Sequence, residues 1–535
     1  MQTKSIDHNL SVGFYRSAKR FAQCEVLAVN NTVYTYEQLS YMAAAVKAKI
    51  KDGKENVDQL VALFAYRSPA AYAGVLGILA SGCGYVPLNP EFSTERCFKI
   101  LDLAKTKLVI VSRECQAAFD AVLELINTKM TFILVGIEGI EQYSKNYPLH
   151  HFIGIHDLLE QGQALEIEAV SKDGIAYLLF TSGSTGEPKG VPVSHYNVRS
   201  YVKFITSRYE INEHDRCSQM HDMTFDFSIH DIYPTWEKGA CLCVATKEDK
   251  LLPVSYIQKN KLTSWASVPS VAVIIDKYGR LQANAFPHIR HSFFCGEALY
   301  TSVAQKWQAA TPHAKLINLY GPTETTMAIS YYDWDSDASP KECVNGVVPI
   351  GRIFDGQIGR VVREDEQEAA FGEPGELCLS GTQVTKGYWN NSLQTKMQYV
   401  TFPDTGDVLW YRTGDLVQKD KQGCLYYLGR VDNQVKILGN RVELGEIDKV
   451  LRDASGAELA VSIPWPMTDG NADGVVAFIG GNKDKNENSI LEYCRHKLPK
   501  YMVPTKINFI GEMPFNTNGK IDRLRLKQWL EKNHV

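Results

Sequence analysis

The twelve cysteines, spread from Cys24 to Cys494, include no CxxC pair and no short even framework. That spacing excludes a disulfide scaffold and points to reduced thiols in a cytoplasmic protein. The Cys241-Leu242-Cys243 pair lies in an apolar run, which suits a core position better than a metal site. The charge balance lacks a basic excess, with a formal net charge of -4, so a nucleic-acid backbone is not an expected partner. The first twenty residues contain no continuous apolar segment of the kind a signal peptide needs. No internal repeat and no low-complexity tract is present. One uncharged stretch, PAAYAGVLGILASGCGYVPL at residues 69–88, is as long as a membrane span. Its glycines, alanines and closing Val-Pro-Leu instead predict a buried helix packed closely on a sheet and followed by a strand.

What is there is a globular chain of 535 residues, 44% hydrophobic and 22% charged, too long for a single ordinary core. Helical segments such as TYEQLSYMAAAVKAKI alternate with short apolar runs such as LVALFAY, LVIVS, FILVGI and GVVAFIG. This rhythm of βα units predicts an α/β fold with parallel-rich sheets. Near residues 410–440 the texture becomes turn-rich and strand-rich before an amphipathic helix opens at Gly445. The expected division is a large N-terminal domain, 1–431, and a small α+β domain, 432–535, with the boundary close to Asp432.

The segment Tyr177 to Gly190 reads as an apolar strand emptying into Thr181-Ser182-Gly183-Ser184-Thr185-Gly186-Glu187-Pro188-Lys189. Glycine amides, hydroxyls and one lysine suit a polyphosphate. Gly-Lys-Ser/Thr is missing, so this is not a Walker A loop. Asn318-Leu319-Tyr320-Gly321-Pro322-Thr323-Glu324 offers an aromatic face and an amide for a base, with hard oxygens on Thr323 and Glu324 of the kind Mg²⁺ prefers. Asp415 sits in a Thr-Gly-Asp turn suited to two ribose hydroxyls, and Arg430 completes a clamp.

Taken together and in order, these segments resemble the adenylate-forming superfamily of acyl-CoA synthetases, luciferases and nonribosomal peptide synthetase adenylation domains. Matching motifs run from Tyr36-Glu37-Gln38-Leu39 through Phe225-Asp226-Phe227-Ser228, Gly387-Tyr388-Trp389 and Gly429-Arg430-Val431-Asp432 to Asn518-Gly519-Lys520. The resemblance implies ATP, Mg²⁺ and a carrier-borne phosphopantetheine as cofactors. It implies nucleotide contacts from the 181–186 loop, Lys189, Gly296, Glu297, Asn318, Leu319, Tyr320, Gly321, Thr323, Asp415, Arg430 and Lys520. Catalytic work falls to Thr181, Glu324, Lys436 and Lys520, with Lys520 serving adenylation and Lys436 thiol transfer. Thr323 and Glu324 would hold the metal.

Amino-acid-activating members carry an aspartate at the position of Asp226 to pair with the substrate ammonium. The pocket wall then maps to Phe227, His230, Ser267, Phe293, Cys295, Leu319, Met327 and Ala328, with Lys520 on the substrate carboxylate. None of the wall residues is charged unless His230 is protonated, so a small neutral side chain is expected; alanine, serine, threonine and proline all fit, with a lean to proline. The text around Ser267 and Cys295 is similar to stand-alone D-alanine carrier-protein ligases, from which His230 and Thr235-Trp236-Glu237 depart; stand-alone prolyl ligases are the other comparison. His150-His151 is not followed by the xxxDG of a condensation domain, and only a short helix follows Arg523, so the carrier is expected on another chain. The alternatives are an acyl- or aryl-CoA ligase, or a catalytically silent binding paralogue.

Overall fold

A computed structural model describes residues 3–53, 59–160, 162–182, 187–431, 434–457, 459–468, 471–480, 486–515 and 521–533. The chain divides into two compact units. The first comprises Met1–Pro90, Ile100–Phe180 and Gly190–Val431, and the second Glu91–Lys99, Thr181–Lys189 and Asp432–Val535.

Among the described residues the first unit is built on sheets of nine, seven and five strands. Six strands of the seven-stranded sheet run parallel, and the nine-stranded sheet has a parallel centre with antiparallel edges. The parallel-rich α/β expectation therefore holds. The apolar runs LVALF, LVIVS and TFILV are its central strands Leu60–Phe64, Leu108–Ser112 and Thr131–Val135, nearly all buried because helices cover both faces.

The uncharged stretch at 69–88 resolves as expected, into helix Pro69–Ala80 and strand Gly84–Pro87. Ser68 caps the helix by accepting from the amide of Ala71, and Pro69 occupies its first turn, where no amide donor is needed. A helix apolar on every side belongs inside a protein. Gly77 lets it lie against helix Tyr36–Asp52, since a β-carbon there would come within 2.8 Å of Val46 and 2.9 Å of the Ala43 carbonyl. Among the described residues no helix is long and apolar enough to cross a membrane. None of the twelve cysteines forms a disulfide, and Cys241 and Cys243 are both buried in strand Cys241–Val244.

The second unit carries sheets of four and three strands among its described residues. Strand Gln434–Ile437 pairs antiparallel with Asn440–Glu443 in a hairpin, and helix Leu444–Ser455 follows with Ile447 and Leu451 fully buried.

Candidate active site

The nine-stranded sheet of the first unit has two differently occupied faces, and the alternation of side chains along each strand decides which residues meet. Strands Ser264–Ser267, His291–Phe294 and Lys315–Tyr320 are parallel neighbours, with Ala266 beside Phe293 and Phe293 beside Ile317. Ala266, Phe293, Cys295, Ile317 and Leu319 belong to one apolar cluster together with Phe227, Met327 and Ala328. Trp265, Phe294 and Leu316 belong to another.

Onto the first face comes helix Ser228–Glu237, preceded by Asp226 and Phe227. The Asp226 carbonyl accepts from the amide of Ile229 and so fixes the helix start. One turn on, the His230 ring meets Phe293 edge-on at 4.3 Å between centroids and lies 5.7 Å from Phe227. The Tyr201 hydroxyl sits 2.6 Å from His230 Nδ1. Burial, with smaller contributions from His221 and His291, pushes the imidazole down to about 3. Of the two states left open from sequence for His230, burial disfavours the protonated one, because it penalises the charged form.

Ser267 and Asn318 go the other way. The Ser267 hydroxyl accepts from the Trp265 indole at 2.9 Å, and the Asn318 amide donates to the Pro349 carbonyl at 2.9 Å. Both residues lie one position out of phase with the face that carries Phe293 and Leu319.

The segment after strand Lys315–Tyr320 turns sharply. A β-carbon on Gly321 would lie 2.6 Å from the Ala328 α-carbon, so only glycine permits this approach. Thr323–Thr325 forms a single 3-10 turn. Glu324 is wholly buried, its Oε1 accepting from the Tyr388 hydroxyl at 2.7 Å. Its backbone carbonyl accepts from the Thr385 amide at 2.9 Å. Glu297 follows Gly296, whose φ is 91°, and accepts from the Ser270 amide at 2.9 Å.

Tyr320, Asp415 and Arg430 form a second constellation. Strands Trp410–Lys419 and Leu425–Arg430 are antiparallel with Asp415 opposite Arg430. The guanidinium donates to Asp415 Oδ1 at 2.6 Å and to the Thr413 carbonyl at 3.2 Å. The Tyr320 hydroxyl donates to the other carboxylate oxygen of Asp415. Burial and the adjoining carboxylate hold the Tyr320 phenol well above its usual range, so it stays a donor.

Within the second unit, Ser182 Oγ donates to the Arg441 carbonyl at 2.8 Å and accepts from the Glu443 amide at 3.2 Å. Thr181 ends strand Ile175–Thr181. Lys189, read as a loop residue, instead opens strand Lys189–Ser194 and is buried. Lys436 is half-buried on Gln434–Ile437, opposite Arg441. Gly183, Ser184, Thr185, Gly186, Asp432 and Lys520 lie outside the described residues. Sequence reasoning missed Ala266, Tyr201 and the Tyr388 hydroxyl; Ala266 and Tyr388 stood in quoted segments without a role, and Tyr201 stood in none.

Residues 14–389 match the family model described as AMP-binding enzyme. The D-alanine--D-alanyl carrier protein ligase of Lacticaseibacillus casei (strain BL23) is 30% identical over 518 residues, 92% of this chain and 95% of that protein. Tyrocidine synthase 3 of Brevibacillus parabrevis is 30% identical over 499 residues, 92% of this chain but 7% of the synthase; the chain thus spans a small part of the length of such relatives. Among solved structures, the Vibrio cholerae adenylation domain AlmE in complex with glycyl-adenosine-5'-phosphate is 32% identical, with a TM-score of 0.89 and 99% of each chain covered. With the family model matching more than half its length, the chain belongs to the AMP-binding enzyme family.

Proposed function

We propose that this chain adenylates a very small neutral amino acid, glycine or alanine, and passes it to a carrier-borne phosphopantetheine thiol. The observation that carries the reading is the packed wall: Phe227, His230 and Phe293 meet ring against ring beside the helix start at Asp226, and the one titratable ring among them is neutral. Such a wall has no partner for a charged side chain and little room for a branched one. The solved relative that holds glycyl-adenosine-5'-phosphate and the D-alanine--D-alanyl carrier protein ligase support the same size class. Proline, favoured from sequence, asks for a larger space.

In this reading the Asp226 carboxylate accepts from the substrate ammonium. Asp415, oriented by Tyr320 and Arg430, accepts from the two ribose hydroxyls. Lys520 neutralises charge as a substrate carboxylate oxygen attacks the α-phosphorus and pyrophosphate leaves. The carrier thiolate then attacks the acyl carbon and AMP departs, with Lys436 serving that half-reaction and Asp432 the backbone change between the two. Glu324, buried and oriented by Tyr388, fits a Mg²⁺ held chiefly by nucleotide phosphates and water. No cluster of three or more acidic, histidine or cysteine residues suited to an all-protein cage occurs among the described residues. Bound there, Mg²⁺ would neutralise phosphate charge. Pyrophosphate exchange driven by glycine, alanine, serine, threonine, proline and leucine tests the reading. Exchange should be fastest with glycine or alanine, and exchange driven best by leucine, or by no amino acid, would overturn it.

A further inference from the structure

Thr326 and Met327 are consecutive non-glycine residues in the left-handed region, with φ of 61° and 72°. Side chains with a β-carbon rarely adopt that backbone, and two in succession persist only where the surroundings impose it. Here the turn's own backbone bonds, from the Thr326 amide to the Thr323 carbonyl at 3.1 Å and from the Ala328 amide to the Thr326 carbonyl at 2.9 Å, are joined by the side chain of one residue from elsewhere in the chain. Gln383, wholly buried, lies just beyond strand Gly375–Gly381. Its Nε2 donates to the Ala328 carbonyl at 2.6 Å and reaches the Thr325 carbonyl at 3.4 Å. Its own backbone carbonyl accepts from the Thr326 hydroxyl at 2.5 Å. The two side-chain bonds therefore bracket the left-handed pair, and the third holds its first member. The Gln383 amide is in turn anchored by Gln357 Oε1 at 3.1 Å. The Gln383 Oε1 atom has no partner among the described residues, so the side chain acts through Nε2.

We infer that Gln383 is a positioning residue for substrate selection: by fixing the left-handed Thr326–Met327 pair it keeps Met327 in the pocket wall and so limits the side chain admitted. The inference rests on the reading of Met327 and Ala328 as wall residues of an amino-acid site. Met327 is buried in the same apolar cluster as Phe293 and Leu319, and a pair released from its clamp would relax toward ordinary φ and withdraw it. Strain held at a site of choice, and not spread through the core, is what a selectivity device requires.

The test is Gln383→Met, which keeps the length of the side chain and removes its donor. Pyrophosphate exchange with glycine, alanine and leucine would be measured beside KM for ATP and the thermal midpoint. The expected result is a fall of about tenfold in the glycine-to-leucine ratio of kcat/KM, with KM for ATP nearly unchanged. Adding Thr326→Gly should restore part of the ratio, because glycine takes the left-handed conformation without a side-chain penalty. That double variant also keeps the test open if Gln383→Met alone does not fold. A folded variant with an unchanged ratio, or one in which KM for ATP and amino acid rise together, overturns the role of Gln383. Failure of the wild-type chain to exchange with any amino acid overturns the proposed function instead.

Discussion

Replacing Phe293 with alanine removes the ring against which His230 and Tyr209 pack, at centroid distances of 4.3 and 5.2 Å. Phe293 has no exposed surface, so the truncation should cost about 3–5 kcal/mol of stability. That is a large share of the 5–15 kcal/mol of a typical domain, which the fold should survive at low temperature. The vacated space should admit a longer apolar substrate. Leucine has three more carbons than alanine, and at about 0.8 kcal/mol per buried methylene they contribute roughly 2.4 kcal/mol. That is a gain of roughly sixtyfold in kcat/KM. Glycine should react more slowly than in the wild type, since attack geometry is sensitive to shifts of about 1 Å. The assay is pyrophosphate exchange, read as the leucine-to-glycine ratio of kcat/KM in wild type and variant. A ratio cancels any loss of folded enzyme and leaves differential transition-state binding. If the ratio moves by less than about threefold, the Phe293 ring does not set the limit and the small-substrate reading loses its main support.

Asp226→Ala should raise KM for the amino acid by an amount reflecting about 3–5 kcal/mol for a stranded charge, while ATP affinity by calorimetry moves far less. Wild-type amino-acid kinetics would leave Asp226 only its place at the helix start. Lys520→Ala should slow adenylate formation by a factor on the order of a hundred or more and spare transfer from supplied aminoacyl-AMP. Lys436→Ala should do the reverse, and equal damage to both half-reactions by each variant would sink the division of labour. Acid should destabilise the fold, because burial holds His230 and His195 down at about 3 and His291 at about 4. Below their unfolded value near 6.5 the unfolded chain binds protons the folded chain does not. Stability then falls with falling pH by up to about 1.4 kcal/mol per unit for each histidine. Asp231 and Asp448, pushed up by burial, act in the opposite sense above their unfolded values and offset part of this. A urea midpoint that stays constant between about pH 7.5 and pH 5 would refute the argument.

Much of the fold was legible because burial writes itself into periodicity. The runs that became Leu60–Phe64, Leu108–Ser112 and Thr131–Val135 are apolar without alternation, the mark of strands covered on both sides. In residues 69–88 the glycines separated a packed helix from a membrane span, and Gly77 against Val46 is the physical form of that signal. The site was legible only in part. Alternation says that Phe293 and Cys295 share a face with each other, but not that Ser267 and Asn318 fall on the opposite one; that follows from register between strands, which a single chain does not display. Tyr320 meets Asp415 across 95 positions and Tyr388 meets Glu324 across 64, and such pairs leave no local mark. Gln383 sits in no quoted motif, and its importance is visible only through the strained backbone it holds.

The neutrality of His230 connects the pocket to the acid lability. Its position one turn after Asp226 means that an imidazolium there would repel the ammonium that Asp226 is proposed to accept, and at low dielectric such repulsion is strong. The alternatives for the fold were to expose the ring, which would admit water to the wall, or to bury it uncharged. Phe227, Phe293 and the Tyr201 hydroxyl accomplish the second, and His221 and His291 reinforce it by opposing a further positive charge. Asp226 is then the charge that selects for an amine, and His230 contributes shape. Because the same burial that keeps the ring neutral makes its protonation costly, any variant that opens the wall around Phe293 should raise the titration point of His230 toward its usual value. Selectivity for a small side chain and loss of stability in acid would then weaken together.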